Sequence, residues 1–308
     1  MQAPAPASTP GDDRSIVTRG LSKRYGTILA VDGLDLDVRD GEVYGLLGPN
    51  GAGKTTTLRM LLGLARPTAG TALVAGHPPG SAPSLASVGS LIEAPAFWPY
   101  LSGRDNLRAL AAYVGASHER VEEVLADVEL TGRASDRFHT YSLGMKQRLG
   151  VAAALLKKPN ILVLDEPGSG LDPAGMIEMR ELIGGLRKDR RTVLLSSHLL
   201  AEVEHLCDRV GVIQHGRLIA EGTPSELRGE GRLVLRAAPT DRARVVLAGL
   251  LGRDNVASED GLFQLVVDPS RAAEINRRLV LEDVDVTELR IARRSLEDVF
   301  MQLTEEAP

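Results

Sequence analysis

The sequence predicts an α/β fold with a parallel sheet at its core, followed by a small α+β domain. Three observations carry that prediction. An apolar stretch at 43–47 runs straight into a glycine-rich loop with a helical pattern behind it. The apolar runs at 161–164 and 192–195 suit central parallel strands, which are covered on both faces. Beyond residue 231 the elements read in the order βαββαβ.

Composition sets the frame for these elements. A chain of 308 residues, 43% of them hydrophobic, can bury a sizeable core as one large domain, or a large one plus a small one. Its 36 Lys and Arg stand against 41 Asp and Glu, a formal net charge of -5, and no long basic run is present. That balance argues against nucleic acid as a partner. Cys207 is the single cysteine, so no internal disulfide can form and a reducing compartment fits. Residues 1–13 are rich in Ala, Pro and Ser and lack the charged-then-apolar order of a secretion signal; they read as a short disordered tail. No apolar run approaches the roughly 20 residues of a membrane helix. Any service to a membrane is therefore expected from outside the bilayer.

Along the chain, residues 15–38 read as short strands, with Leu34, Leu36 and Val38 alternating with Asp35 and Asp37. The helix after the glycine-rich loop is expected over 55–64, ended by Arg66 and Pro67. Residues 71–74 form another short strand. Leu107, Leu110, Ala111 and Val114 fall on one helical face, and Val121, Val124, Leu125 and Val128 repeat that spacing after Ser117, a good N-cap. Residues 209–214 and 217–221 form a hairpin turning at His215 and Gly216. The C-terminal part reads as strand 232–236, helix 241–251, strands 255–258 and 262–267, helix 271–281, strand 284–291 and a last helix at 295–303. The first six have the order of a ferredoxin-like unit.

The strongest chemical signal is Gly48-Pro49-Asn50-Gly51-Ala52-Gly53-Lys54-Thr55, which fits G-x-x-x-x-G-K-[ST] without exception. Glycines let backbone N–H groups converge on phosphate oxygens where a side chain would intrude. The loop opens a helix, so the positive end of its dipole faces the same anion. Gly48, Asn50, Gly51, Gly53, Lys54, Thr55 and Thr56 make up this cradle, with Lys54 as a mobile charge and the Thr55 hydroxyl as a Mg²⁺ ligand. The second signal is Asp165-Glu166, emerging from the apolar strand at 161–164 at the end where open α/β sheets bind ligands. Alone, such a pair is more often a helix cap or a solvated loop. Downstream of a phosphate loop it reads as Asp165 holding Mg²⁺ and Glu166 acting as general base on water.

With these segments in place, residues 14–225 resemble the ATPases of the ABC type. The resemblance implies a P-loop ATPase with a RecA-like core, an antiparallel β subdomain and a helical subdomain over 94–158. It implies ATP and Mg²⁺ as cofactors. Tyr25 occupies the place of an adenine-stacking aromatic, before the first strand pair. Ser169-Gly170-Leu171-Asp172 resembles the loop that touches a partner subunit. His198 sits where the family places a histidine on the γ-phosphate, giving a catalytic set of Lys54, Glu166 and His198. Tyr141-Ser142-Leu143-Gly144-Met145 aligns with the family signature L-S-G-G-Q and keeps only Ser142 and Gly144. These would contact the nucleotide of the opposite subunit, so two chains, identical or paralogous, must pair around two ATP.

Other departures are Glu93, in place of a glutamine that orients water or Mg²⁺, and Gly168, where Thr or Ser is usual. Phe97-Trp98-Pro99-Tyr100 concentrates three of the chain's ten aromatic residues (four Phe, one Trp, five Tyr). They either anchor a cytoplasmic helix of a membrane permease or cover the helical subdomain's own core. Substitutions like Glu93 occur in ATPases resembling bacitracin-resistance exporters, and Ser295-Leu296-Glu297-Asp298-Val299-Phe300 resembles the ending of the daunorubicin-resistance type. The resemblance therefore implies an exporter's ATP-hydrolysing subunit. It would lie in the cytoplasm on the inner face of the membrane, bound to permease subunits, with an accessory domain at 231–308. Two alternatives stand: a soluble ABC ATPase acting on ribosomes or DNA, and an importer ATPase. The single cassette and the absence of sustained heptads between Thr55 and Asp165 speak against the first. Glu93 and the tail speak against the second.

Overall fold

In the computed structural model, which describes residues 13–93, 96–188, 190–229, 232–259, 261–292 and 297–301, the chain opens on a long hairpin. Strands β1 (Arg14–Tyr25) and β2 (Ile28–Arg39) pair antiparallel. Each has 12 residues, where short strands were expected. Register shifts break the alternation at several points, so the period-2 pattern shows only locally, as at Leu34–Val38. Tyr25 lies inside this pair, opposite Ile28 at the hairpin tip, not before it.

Strand β3 (Val43–Leu47) is buried throughout and leads through the glycine-rich loop into helix α1 (Lys54–Leu61). The helix stops short of residue 64. Gly63, at φ +74°, donates its N–H to Met60 O at 3.0 Å, and Leu64 N donates to Arg59 O at 2.9 Å. This is a Schellman closure, which ends the helix before Pro67 is reached. Strand β4 (Ala69–Val74) joins β1, giving a three-stranded sheet in the order β2-β1-β4.

Helix α2 (Ala82–Ser87) and strand β5 (Val88–Leu91) follow. Neither stood out in the sequence, because Gly89 and Ser90 dilute the only apolar run. Helices α3 (Gly103–Val114) and α4 (His118–Asp127) are capped by Ser102 and Ser117, whose side chains accept from Asp105 N and Arg120 N. Helix α5 (Leu143–Leu155) starts at Ser142. Arg120, nearly buried, donates to Leu155 O at 2.8 Å and so ties α4 to the C-terminal end of α5.

Strand β6 (Ile161–Asp165), helix α6 (Pro173–Lys188), strand β7 (Thr192–Ser197), helix α7 (Leu200–Leu206) and strands β8 (Arg209–Gln214) and β9 (Arg217–Gly222) complete this part. They build a six-stranded sheet in the order β5-β6-β7-β3-β8-β9. Its pairs are parallel except for the β8–β9 hairpin, which turns at His215 and Gly216 as expected. The β3, β6 and β7 side chains are all buried, as strands covered on both faces must be.

The described residues form two compact units, one ending at Pro224 and one beginning at Ser225. After helix α8 (Pro224–Arg228), the second contains β10 (Arg232–Ala238), α9 (Thr240–Leu251), β11 (Val256–Glu259), β12 (Leu262–Leu265), α10 (Ala272–Leu281) and β13 (Asp285–Ala292). The strands are antiparallel in the order β11-β12-β10-β13. Ala243 and Leu247 of α9 and Ile275 and Leu279 of α10 close one core with Leu233, Leu235, Phe263 and Leu265. Residues 297–301 are helical. Ser295 and Leu296, on which the expected cap rests, lie outside the described residues, as do residues 1–12 of the expected tail.

Phe263 is fully buried in this second core. Phe263→Ala is expected to destabilise the second unit by about 3–5 kcal/mol. Hydrogen exchange by mass spectrometry should show faster exchange in β10 and β12, with β3 and β6 unchanged. Equal loss in both regions would mean that the units unfold together.

Candidate active site

The parallel order brings three loop origins to one rim of the sheet. Leu47 of β3 lies opposite Ser197 of β7, and Asp165 of β6 lies opposite Ser196. The glycine-rich loop, the acidic pair and His198 therefore leave the sheet side by side.

The loop's shape demands glycine. A Cβ on Gly48 would lie 2.4 Å from Ile213 O, and one on Gly53, at φ +107°, would lie 2.4 Å from Ala30 O. Gly51 also has positive φ. Lys54 begins α1 and is 4% exposed; its Nζ donates to Gly48 O at 2.8 Å and Pro49 O at 3.2 Å. Thr55 and Thr56 follow in the first helical turn, half-buried.

Glu166 sits at the centre of the cluster. One carboxylate oxygen is 3.3 Å from Lys54 Nζ, and the other is 2.9 Å from His198 Nδ1. Its backbone is in the left-handed region, at φ +47°. Two hydrogen bonds hold it there: its N–H donates to Ser196 O at 3.2 Å and to Ser196 Oγ at 2.9 Å. The Ser196 hydroxyl in turn donates to the buried Asp165 carboxylate. Ser196 thus serves both acidic residues. Sequence reading passed over it, although its register opposite Asp165 follows once β6 and β7 are paired.

Glu202 was also passed over. It lies in the first turn of α7 and accepts from Ser197 Oγ at 3.0 Å. Burial pushes its carboxyl above the usual carboxylate range; the Ser197 hydrogen bond, His198 and Arg180 pull it back, while nearby Glu166 adds to the rise.

Other expected residues lie apart from this cluster. Tyr25 is 46% exposed at the hairpin tip, with Lys23 Nζ 4.8 Å from its ring centroid. Glu93 has φ +64°, and its carboxylate pairs with Arg59 at the surface rather than with Thr55 or Asp165. The Ser142 hydroxyl accepts from Met145 N at 3.2 Å, capping α5. Ser142, Leu143 and Gly144 line one groove with Gly170, Leu171 and Asp172; among the described residues, none of 48–55 lines it. Asp172 Oδ1 accepts from Gly175 N at 3.0 Å and so caps α6, which opens on Pro173.

Comparison with known proteins places this geometry. The ABC transporter family profile matches residues 31–169. The bacitracin transport ATP-binding protein BcrA of Bacillus licheniformis is 39% identical, over 94% of this chain and 96% of its own length. The chain belongs to the ABC transporter ATP-binding proteins. The daunorubicin/doxorubicin resistance ATP-binding protein DrrA of Streptomyces peucetius is 39% identical, over 94% of this chain and 92% of its own length. A solved ATP-binding subunit of an ABC transporter is 30% identical with a TM-score of 0.62, covering 69% of this chain and 91% of that one.

As an ABC ATPase, the chain binds ATP and hydrolyses it. Its loop suits a triphosphate: Gly48 and Gly53 let it pack closely against Ile213 and Ala30, its backbone N–H groups open helix α1, and a buried ammonium lies within it. Replacing Lys54 by alanine removes a charge-assisted contact worth about 1.5–3 kcal/mol. Lys54→Ala should weaken ATP binding by about 10- to 150-fold in a calorimetric titration; unchanged affinity would remove Lys54 from the phosphate site. Ser196→Ala leaves Asp165 and the Glu166 N–H each one partner short. ATP turnover is expected to fall about 5- to 150-fold, for a loss of about 1–3 kcal/mol, with ATP affinity changed less than about threefold.

Proposed function

We propose that this chain is the ATP-hydrolysing subunit of an exporter that moves a drug, antibiotic or lipid-like molecule through separate permease subunits. The observation that carries this reading is the length of the similarity. The transport and resistance relatives align over 94% of the chain and so include the second unit, whereas the solved ATP-binding subunit covers 69% of it. No helix among the described residues is long and apolar enough to cross a membrane. The reading accordingly places the chain on the inner face of the membrane, joined to its permease and to a second ATPase copy, identical or paralogous. The second unit would be a ferredoxin-like accessory domain at 231–308.

The chemistry follows from the cluster. Backbone N–H groups of 48–55 and the α1 dipole bind the phosphates, and Lys54 exchanges its contact with Glu166 for a phosphate oxygen. Among the described residues no group of three or more His, Cys, Asp or Glu forms a metal cage. The donors at hand are the Thr55 hydroxyl and the Asp165 carboxylate, hard oxygens that suit Mg²⁺ shared with phosphates. When bound, the ion neutralises charge on the phosphates. Glu166 takes the proton from the attacking water, with His198 holding its second oxygen. Ser142 and Gly144 would serve the nucleotide of the opposing copy. Glu93 can reach water or metal only after leaving Arg59. Trp98 and Tyr100, 43% and 66% exposed, supply the aromatic anchors for the permease.

Glu166→Gln is expected to bind ATP normally, lose more than about 99% of turnover, a loss of order 10²–10⁴ for a general base, and accumulate an ATP-bound dimer on size-exclusion chromatography. Full turnover by this variant would exclude Glu166 as the base. Affinity purification of the tagged protein in mild detergent should bring down a stoichiometric multi-helix membrane protein. Ribosomal or DNA-bound partners instead would support the soluble alternative.

A further inference from the structure

Gly168, two residues past Glu166, has an ordinary backbone: its φ lies outside the region that favours glycine. Space explains the residue. A Cβ there would lie 2.1 Å from Glu202 Oε1 and 2.9 Å from Glu202 Cδ. The Glu202 carboxylate occupies the volume in which a side chain at 168 would lie.

From that seat Glu202 reaches the histidine loop. Its other oxygen accepts from Ser197 Oγ at 3.0 Å, and Ser197 Oγ accepts from Leu199 N at 2.9 Å. The backbone of Glu202 returns to Leu199 O at 3.2 Å. His198 is the residue between these two bonded positions. Its imidazole meets Glu166 at 2.9 Å. Beyond the bonds that Ser196 makes to Asp165 and Glu166, the two loops therefore meet through His198 and Glu166 and again through Glu202 packed over Gly168.

We propose that Glu202 is a positioning residue that seats the His198 loop against the Glu166 loop, and that residue 168 is glycine to admit it. Glu202 touches neither reacting group; it acts through Ser197 and the backbone on each side of His198. Its position three residues into the turn also suits a helix-capping role. A cap alone, however, would not place the carboxylate in the volume that a side chain at 168 would take. Freezing two loops relative to each other matters because a catalytic contact displaced by about 1 Å can cost about 10²-fold in rate.

The test rests on the ATPase assignment and uses the full chain. Four variants are compared for ATP turnover, ATP affinity and thermal unfolding: Gly168→Ala, Glu202→Ala, Glu202→Gln and the Gly168→Ala/Glu202→Ala double. The obstructing atom is the tip of a flexible side chain, so alanine at 168 moves the carboxylate and leaves the backbone in place. Gly168→Ala and Glu202→Ala should each lower kcat by about 10- to 100-fold while changing ATP affinity less than about threefold. Glu202→Gln, with the same volume and the same acceptor for Ser197, should retain at least about half of the wild-type kcat. The double variant should be no slower than Glu202→Ala alone, because the new Cβ enters vacated space; such non-additivity is the signature of one shared contact. Wild-type kcat in Gly168→Ala and Glu202→Ala, a shift in unfolding temperature only, or a double variant as slow as the product of the singles would each overturn the proposal. Wild-type protein and Glu166→Gln run in parallel separate this outcome from failure of the ATPase reading.

Discussion

Strand β7 lies between β3 and β6, and the site depends on that pairing. The strands run parallel, so their C-terminal ends share one rim, where open α/β sheets receive ligands. The glycine-rich loop, Asp165-Glu166 and His198 are far apart along the chain. Parallel strands of one sheet cannot be joined by tight hairpins, and the long connection from β3 to β6, which leaves room for β7 between them, builds the β4 and β5 strands and helices α3, α4 and α5. The helical segment therefore arises within a connection that the sheet already requires.

Charge ties the three loops together. Lys54 is almost fully buried, and an ammonium in that position is costly unless it is bonded. Two loop carbonyls and Glu166 meet the need. Glu166 is also bonded to His198, so one carboxylate bridges groups from two other loops. Its left-handed backbone is sparsely populated for a residue with a side chain and costs of order 1–3 kcal/mol. The two hydrogen bonds from its N–H to Ser196 offset that cost.

Around this rim, the departures from the family signature have local causes. Tyr141 is buried, donates to Arg133 O at 2.8 Å and packs on Phe138 at 5.9 Å, so it belongs to the core of the helical segment. Met145 is buried in α5, and Leu143 is exposed beside Gly170. Within the aromatic segment at 97–100, only part packs on the helical segment. Phe97 meets Phe138 edge-on at 5.1 Å, while Trp98 and Tyr100 face outward. At Gly168, α7 brings the Glu202 carboxylate into the volume that a side chain would take.

Local signals were legible where the chemistry is contained in one segment. The 48–55 loop, the apolar strand ending in Asp165, the cap Ser117 and the turn at His215-Gly216 each declare themselves within a few residues, because turns, caps and phosphate cradles are built from neighbouring backbone groups. Interactions between distant segments were not legible. Strand β5 was hidden because its place is set by pairing with β6, not by its own Gly-Ser composition. Glu93 reads in sequence as a site residue, yet Arg59 holds it at the surface. Ser196, Glu202 and the order β6-β7-β3 emerge only when the sheet assembles, since hydrogen-bond partners and packing volumes belong to residues far apart along the chain. By itself the sequence determined which residues could do the chemistry; the tertiary structure decided which of them meet, because contact depends on strand order and on space that no local pattern records.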